Sequence, residues 1–528
     1  MTSRRVIIFG LAALALLAVP IQAVIDPSIE NIACACIVLA SSLVMLMYIG
    51  CTDALATQPL STFALFGFCV TTQLGALLIQ SVEWTSLRGS LFDGMYTFGT
   101  LAFYQSIAII VHATFRFFSR PRSRSVHLVR GLLTWAGIYL TPSCNELWLI
   151  GFVGLASYVV YISEALLGSP LGKIGLAVNY LAWAPFLIPF YLLEVGNHYC
   201  NWRLNRSLLL GYAATLVGLG LALNTRGVMF FGVATVGLLY LLAGMRSDRP
   251  LSGRAFFRIG GLVAIVVVLA TPTSNLITAM AIARGLGRAP VVTKVERTFQ
   301  VWQRPELIAA YRVDQAAAQR RRAYDEHYIE NPILARFVMT KFHDNSLHFA
   351  AGIRTDDANK RLRNVSVQLL WAILPQPILD MLGVDVNKDD FNFSMGDYLP
   401  YLSHGTPLGG HSVGSMLGHG LALFGPLFPF IFAALCLGFF AVMNLLTIQH
   451  PDGTATVSAL GMLQIWSYFA YGISYGGLQE AFEFLIRNFE QGILIYALVF
   501  GAARLILRPR IQRSLVTGPP RLDSGSQV

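Results

Sequence analysis

Apolar stretches long enough to cross a bilayer recur along the chain, near 6–24, 32–50, 61–80, 96–115, 147–167, 174–195, 207–223, 228–244, 259–278, 420–446, 456–474 and 489–507. Each approaches the roughly 20 residues that a helix needs to span the hydrocarbon core. The pattern predicts an all-α polytopic membrane protein of about twelve transmembrane helices. The first stretch follows Arg4 and Arg5 and has the outline of a signal peptide. Ile21 at the −3 position of a cut after Ala23 is too bulky, so the segment reads as a retained anchor.

Between the ninth and tenth stretches the pattern changes. Residues 279–419 form a polar link with 16 of the 38 basic and 14 of the 28 acidic residues, a net of +2. Val295 to Tyr324 has helical spacing apart from Pro305, and Leu369 to Leu382 is apolar but short and interrupted by Pro375 and Pro377. The latter suits an amphipathic or re-entrant segment at the membrane face. The chain thus divides into helices 1–9 (1–278), a large and mainly helical loop (279–419), helices 10–12 (420–510) and a polar tail (511–528). Residues 131–146 fit an extra interfacial helix before Pro142.

Composition agrees: 55% of residues are hydrophobic and 12% charged, more apolar surface than a soluble chain of 528 residues can hide. The net charge of +10 is topological and implies no nucleic-acid partner. Arg4–Arg5, Arg116–Arg130, Arg203–Arg206, Arg246–Arg258 and Arg504–Arg513 fall on one side if there are twelve crossings. Asp26, Glu30, Glu83 and Asp93 occupy the opposite links, with Arg88. Both termini are therefore expected in the cytoplasm and the large loop outside it. The seven cysteines lie in or near apolar spans and read as small core residues.

The candidate chemistry is polar side chains on the non-cytoplasmic side. Arg226, in the turn Leu221-Ala222-Leu223-Asn224-Thr225-Arg226-Gly227, is either a lipid-snorkelling arginine or a grip for a phosphate group. Arg336, Arg363 and Arg487 are further candidates for binding a diphosphate. The densest polar cluster is Lys341-Phe342-His343-Asp344-Asn345-Ser346-Leu347-His348. On a helix, Asp344 and His348 stand one turn apart, as a base with its orienting carboxylate or as a structural pair. His411 is the rival base. Aromatic residues of the loop, among them Phe391, Phe393, Tyr398 and Tyr401, either stack on sugars or form the loop's own core. There is no Gly-rich phosphate loop, no Asp-x-Asp and no His-Glu-x-x-His, so neither a metal nor another cofactor is expected.

The turn at Arg226 resembles one in bacterial O-antigen polymerases of the Wzy type and in O-antigen ligases. So do the late, large loop, the approach to span ten (His411-Ser412-Val413-Gly414, Gly418-His419-Gly420, Phe424-Gly425-Pro426-Leu427) and the entry Leu485-Ile486-Arg487-Asn488-Phe489. The spacing of Arg336 and Gly352, fifteen residues between, is similar to an Arg-to-Gly pattern of some polymerases. The resemblance implies a C-type glycosyltransferase architecture in the bacterial inner membrane. It implies an enzyme that joins undecaprenyl-diphosphate-linked oligosaccharide repeats at the periplasmic face, in O-antigen, capsule or exopolysaccharide synthesis. Its partners would be those carrier lipids, membrane lipids, a flippase and a chain-length regulator. A ligase transferring the glycan to lipid A-core, or a transporter, are the alternatives.

Overall fold

The computed structural model describes residues 2–119, 124–162, 175, 177–196, 199–223, 225–250, 272–285, 291–320, 324–331 and 334–507. Among these, eight helices are long and apolar enough to cross a membrane: Ser3–Ile25, Ile29–Cys51, Pro59–Val82, Gly94–Phe118, Trp202–Ala222, Gly227–Arg246, Met416–Leu445 and Leu478–Ile506. The chain is an all-α, multi-pass membrane protein. Most of the expected span 259–278 and the tail 511–528 lie outside the described residues.

Two expected spans are not single regular helices. Residues Asn179–Leu187 are 3-10 helix containing Pro185, continued by the short helix Ile188–Val195. The stretch 456–474 begins in a strand, Ala455–Val457, paired antiparallel with Thr447–Gln449. Two short helices follow, Ala459–Leu463 and Ile465–Tyr471, broken at Gln464 and almost wholly buried. A run that is apolar all round is compatible with burial against protein as well as with lipid, and its hydropathy does not distinguish the two. Here protein wins. At Gly67 an added Cβ would lie 2.1 Å from the Phe469 carbonyl, so only glycine lets the two backbones meet.

Polar contacts sort the ends of the bundle. At one end Arg4 donates to the carbonyls of Ile49 and Thr52, and Arg116 pairs with Asp53. Arg130 reaches the carbonyls of Asn444 (3.0 Å) and Thr447 (3.1 Å), and Arg246 that of Ala455. At the other end Arg88 pairs with Asp26 and Glu30. Several polar side chains within the spans pair with one another or with backbone carbonyls. Gln73 donates to Gln105 (2.6 Å), which donates to the Ser41 carbonyl (2.8 Å). His112 is held between Tyr48 (2.7 Å) and Ser61 (2.9 Å).

The loop following the ninth stretch docks on the end marked by Arg88. Its helices include Val291–Trp302, Pro305–Arg320, Thr340–Gly352, Asp356–Ala372, Gln376–Leu382 and Met395–His404. The helical run expected from Val295 breaks at Pro305, and the interruption at Pro375 is a 112° elbow between two helices. Docking exploits a π-helical turn, Val70–Leu74, inside the third span. Such a turn shifts the backbone ladder and leaves carbonyls available to other partners. The Thr71 carbonyl accepts from the Met339 N–H (2.7 Å) and the Thr72 carbonyl from the Thr340 hydroxyl (2.7 Å).

Candidate functional site

The Thr340–Gly352 helix carries the cluster picked out in the sequence. Lys341, His343, Asp344, Asn345 and Ser346 are all buried, because the helix sinks between the loop and the spans. Gly418 makes this possible, since a Cβ there would lie 2.6 Å from the Ser346 backbone. Asp344 forms an ion pair with Lys341 (2.9 Å). It also accepts from the Phe92 N–H (2.9 Å), the Asp93 N–H (3.3 Å) and the Thr97 hydroxyl (3.0 Å). Lys341 donates in addition to the Ser90 carbonyl and lies 4.5 Å from the centre of the Phe92 ring. This ion pair joins the loop helix to the link between the third and fourth spans.

His343 sits between two serines. Its Nδ1 is 2.6 Å from the Ser415 hydroxyl and its Nε2 2.7 Å from the Ser474 hydroxyl. Burial pushes its pKa down to about 4, because the cation would lose its hydration. The folded value lies below the ordinary 6.5, so the native state binds fewer protons than the unfolded chain between these limits. Stability is therefore complete above pH 6.5 and lost as pH falls towards 4, by about 3 kcal/mol. Unfolding midpoints of purified protein across this window should drop with pH, and His343→Gln should flatten the slope. Equal slopes would refute the assignment.

The expected Asp344–His348 pair does not form. Asp344 is occupied by Lys341 and the 92–97 segment. His348 is exposed, its ring stacked 3.9 Å from that of Phe92 and 6.1 Å from that of His404. His411 is also exposed, with φ +51° at a non-glycine residue. Asp397 clamps that turn by accepting from the N–H groups of His411 (2.7 Å) and Ser412 (3.0 Å). Burial acts upward on the Asp397 carboxyl, but these hydrogen bonds outweigh it and hold the pKa below the usual value. His343 and Asp344 are thus sealed into the docking interface, while His348 and His411 face outward at separate places.

A group of charged side chains gathers elsewhere, where the loop meets the broken crossing, around the exposed Glu326 and Tyr471. Arg336 lies within electrostatic reach of both, and Glu480 within reach of Tyr471. Glu480 accepts from the Gly476 N–H (3.0 Å) and is close to Glu483, whose partner is Arg487 (3.5 Å). Enclosure pushes the Glu326 carboxyl upward; the Val413 N–H (3.3 Å) and Arg336 only partly oppose this. The segment is pinned from below. The Tyr328 hydroxyl donates to the Leu87 carbonyl (2.6 Å), and Glu83 accepts from the N–H groups of Glu330 and Asn331, each at 3.1 Å.

No family model, curated protein or solved structure matches the chain.

Of the four expected diphosphate ligands, Arg336 belongs to this charged group and Arg487 joins it through Glu483. Arg363 is exposed on the Asp356–Ala372 helix. Arg226 opens the Arg226–Arg246 helix, and its side chain lies outside the described residues. Glu326 was not among the expected site residues. In the run Asp325-Glu326-His327 it resembles ordinary solvated loop charge, and no spacing rule separates it from its neighbours.

Proposed function

We propose that the protein is a lipid-carrier-dependent glycosyltransferase of the repeat-unit polymerase type. It would join undecaprenyl-diphosphate-linked oligosaccharides at the non-cytoplasmic face of the bacterial inner membrane. The observation that carries this reading is the group of charged side chains where the loop meets the broken crossing, with Arg336 within electrostatic reach of Glu326. In this reading the chain crosses the membrane twelve times, with both termini cytoplasmic. The arginine-rich end faces the cytoplasm, as positive-inside orientation requires.

The chemistry follows from the charges. Glu326 removes the proton from an acceptor hydroxyl, whose oxygen forms a bond to the anomeric carbon of the donor sugar. The bond from that carbon to the carrier phosphate breaks, and the departing diphosphate takes the electron pair. Guanidinium groups at Arg336 and Arg487 stabilise the charge that develops on it, with planar donors matched to phosphate oxygens. A carboxyl raised towards neutrality by enclosure is a stronger base than an ordinary one. His343 and Asp344, named as catalytic on sequence grounds, hold the loop on the bundle in this account.

The test is purified protein given synthetic diphosphate-lipid-linked repeat units, with product length as the readout. A ladder of repeat multiples is expected. A single transfer onto a lipid A-core acceptor would make the protein a ligase, and movement of lipid without a covalent product would make it a transporter.

A further inference from the structure

The loop contains a concave site away from this charged group. A cavity of about 470 Å³ lies between the Asp356–Ala372 helix and the chain from 385 to 408. This falls within the about 300–1,000 Å³ of small-ligand sites. One wall is aromatic. Phe393 and Tyr398 lie nearly parallel, 16° apart with centres 5.0 Å from each other; Tyr401 stands 5.9 Å from Tyr398 and Phe391 6.2 Å from Phe393. Tyr398 is buried as the backing of this wall, while Phe391, Phe393 and Tyr401 keep open surface towards the cavity.

The lining also includes polar, exposed side chains, Gln368, Asp385, Asn387 and Asp390. Asn387 caps the 3-10 turn Lys388–Phe391 and donates to Asp390 (3.1 Å), so backbone geometry holds the amide and carboxylate in place. Arg361 also lines the cavity, but its charge is matched by Asp357 (2.8 Å). The lining is therefore net acidic. Flat apolar rings together with fixed carboxylates and amides are complementary to a molecule with one C–H face and an edge of hydroxyls. A pyranose ring has that shape. The acidic balance selects against carboxylated or phosphorylated sugars.

The Asp356–Ala372 helix supplies Arg361, Val365 and Gln368 to the cavity, and beyond its end the chain turns by 112° into the Gln376–Leu382 helix. Leu370, Trp371, Ile378, Met381 and Leu382 around the bend are exposed, an apolar tip suited to the membrane interface.

We infer that this cavity is a binding site for a neutral or amino-sugar oligosaccharide, a holding site for the glycan chain apart from the charged group at Glu326. The inference rests on the glycosyltransferase reading only for the presence of a glycan, and its test involves no turnover. Full-length protein in nanodiscs is probed by saturation-transfer NMR with maltohexaose, cellohexaose and chitohexaose, and with hexagalacturonate as the acidic control. Transfer to at least one neutral probe is expected, with weaker binding of hexagalacturonate. Tyr401→Ala should weaken that binding about fivefold or more, through loss of a stacking face. Asp390→Asn, among the exposed polar side chains of the lining, should weaken it with the same unfolding midpoint as the parent protein. Absence of transfer to all three neutral probes, full binding by the Asp390 variant, or tighter binding of hexagalacturonate overturns the site. A protein that makes a ladder without binding these probes loses this inference alone; one that binds them without forming product loses the polymerase reading alone.

Discussion

Asp344→Ala should destabilise the protein by about 3–5 kcal/mol, the cost of leaving a buried charge without its partner. Lys341 would stay enclosed beside Phe92, and the N–H groups of Phe92 and Asp93 would lose their acceptor. Lys341→Met should cost less, because Asp344 would keep three other donors, Phe92, Asp93 and Thr97, while the methionine fills the same channel against the ring. The measurement is the unfolding midpoint in detergent together with the yield of folded protein. If the alanine variant unfolds with the parent, or the methionine variant is the worse of the two, Asp344 does not join loop to spans as described.

Glu326→Gln carries the largest expected effect on activity. Loss of a positioned general base should lower kcat/KM by about 10²–10⁴. Stability should hardly change, since a glutamine oxygen still accepts from the Val413 N–H. The pH profile separates this from a structural role. The base works as the carboxylate, and enclosure has raised its pKa above the ordinary 4.5. Parent activity should therefore fall as pH drops through that raised value, and the residual activity of the variant should lack this limb. A variant with the parent's rate, or with an unchanged acidic limb, would exclude Glu326 as the base.

The repeated membrane-crossing helices were legible because hydropathy is a local property written in consecutive residues. The same property gave 456–474 as one spanning stretch, where the structure has a strand and two short helices. The strand pairing at Ala455, the break at Gln464 and the close approach of Phe469 to Gly67 depend on segments far away in sequence. The cluster at 341–348 stood out as dense polarity, and the structure buries most of it while His348 stays exposed. Its role was not legible, because helical spacing relates Asp344 to His348, whereas its actual donors arrive from Phe92, Asp93 and Thr97. Glu326 failed for the opposite reason. The reach of Arg336 to Glu326 belongs to three-dimensional shape, and a loop carboxylate has no sequence signature of it.

The two serines that hold His343 also fix an order of assembly. Ser415 follows the histidine by 72 positions and Ser474 by 131, whereas the partners of Asp344 at 92–97 precede it in the chain. During synthesis the donors at 92–97 that hold Asp344 are therefore made before the loop helix. A chain stopped before residue 474 lacks the second hydroxyl partner of His343. Completion of the last two crossings is the event that closes the molecule.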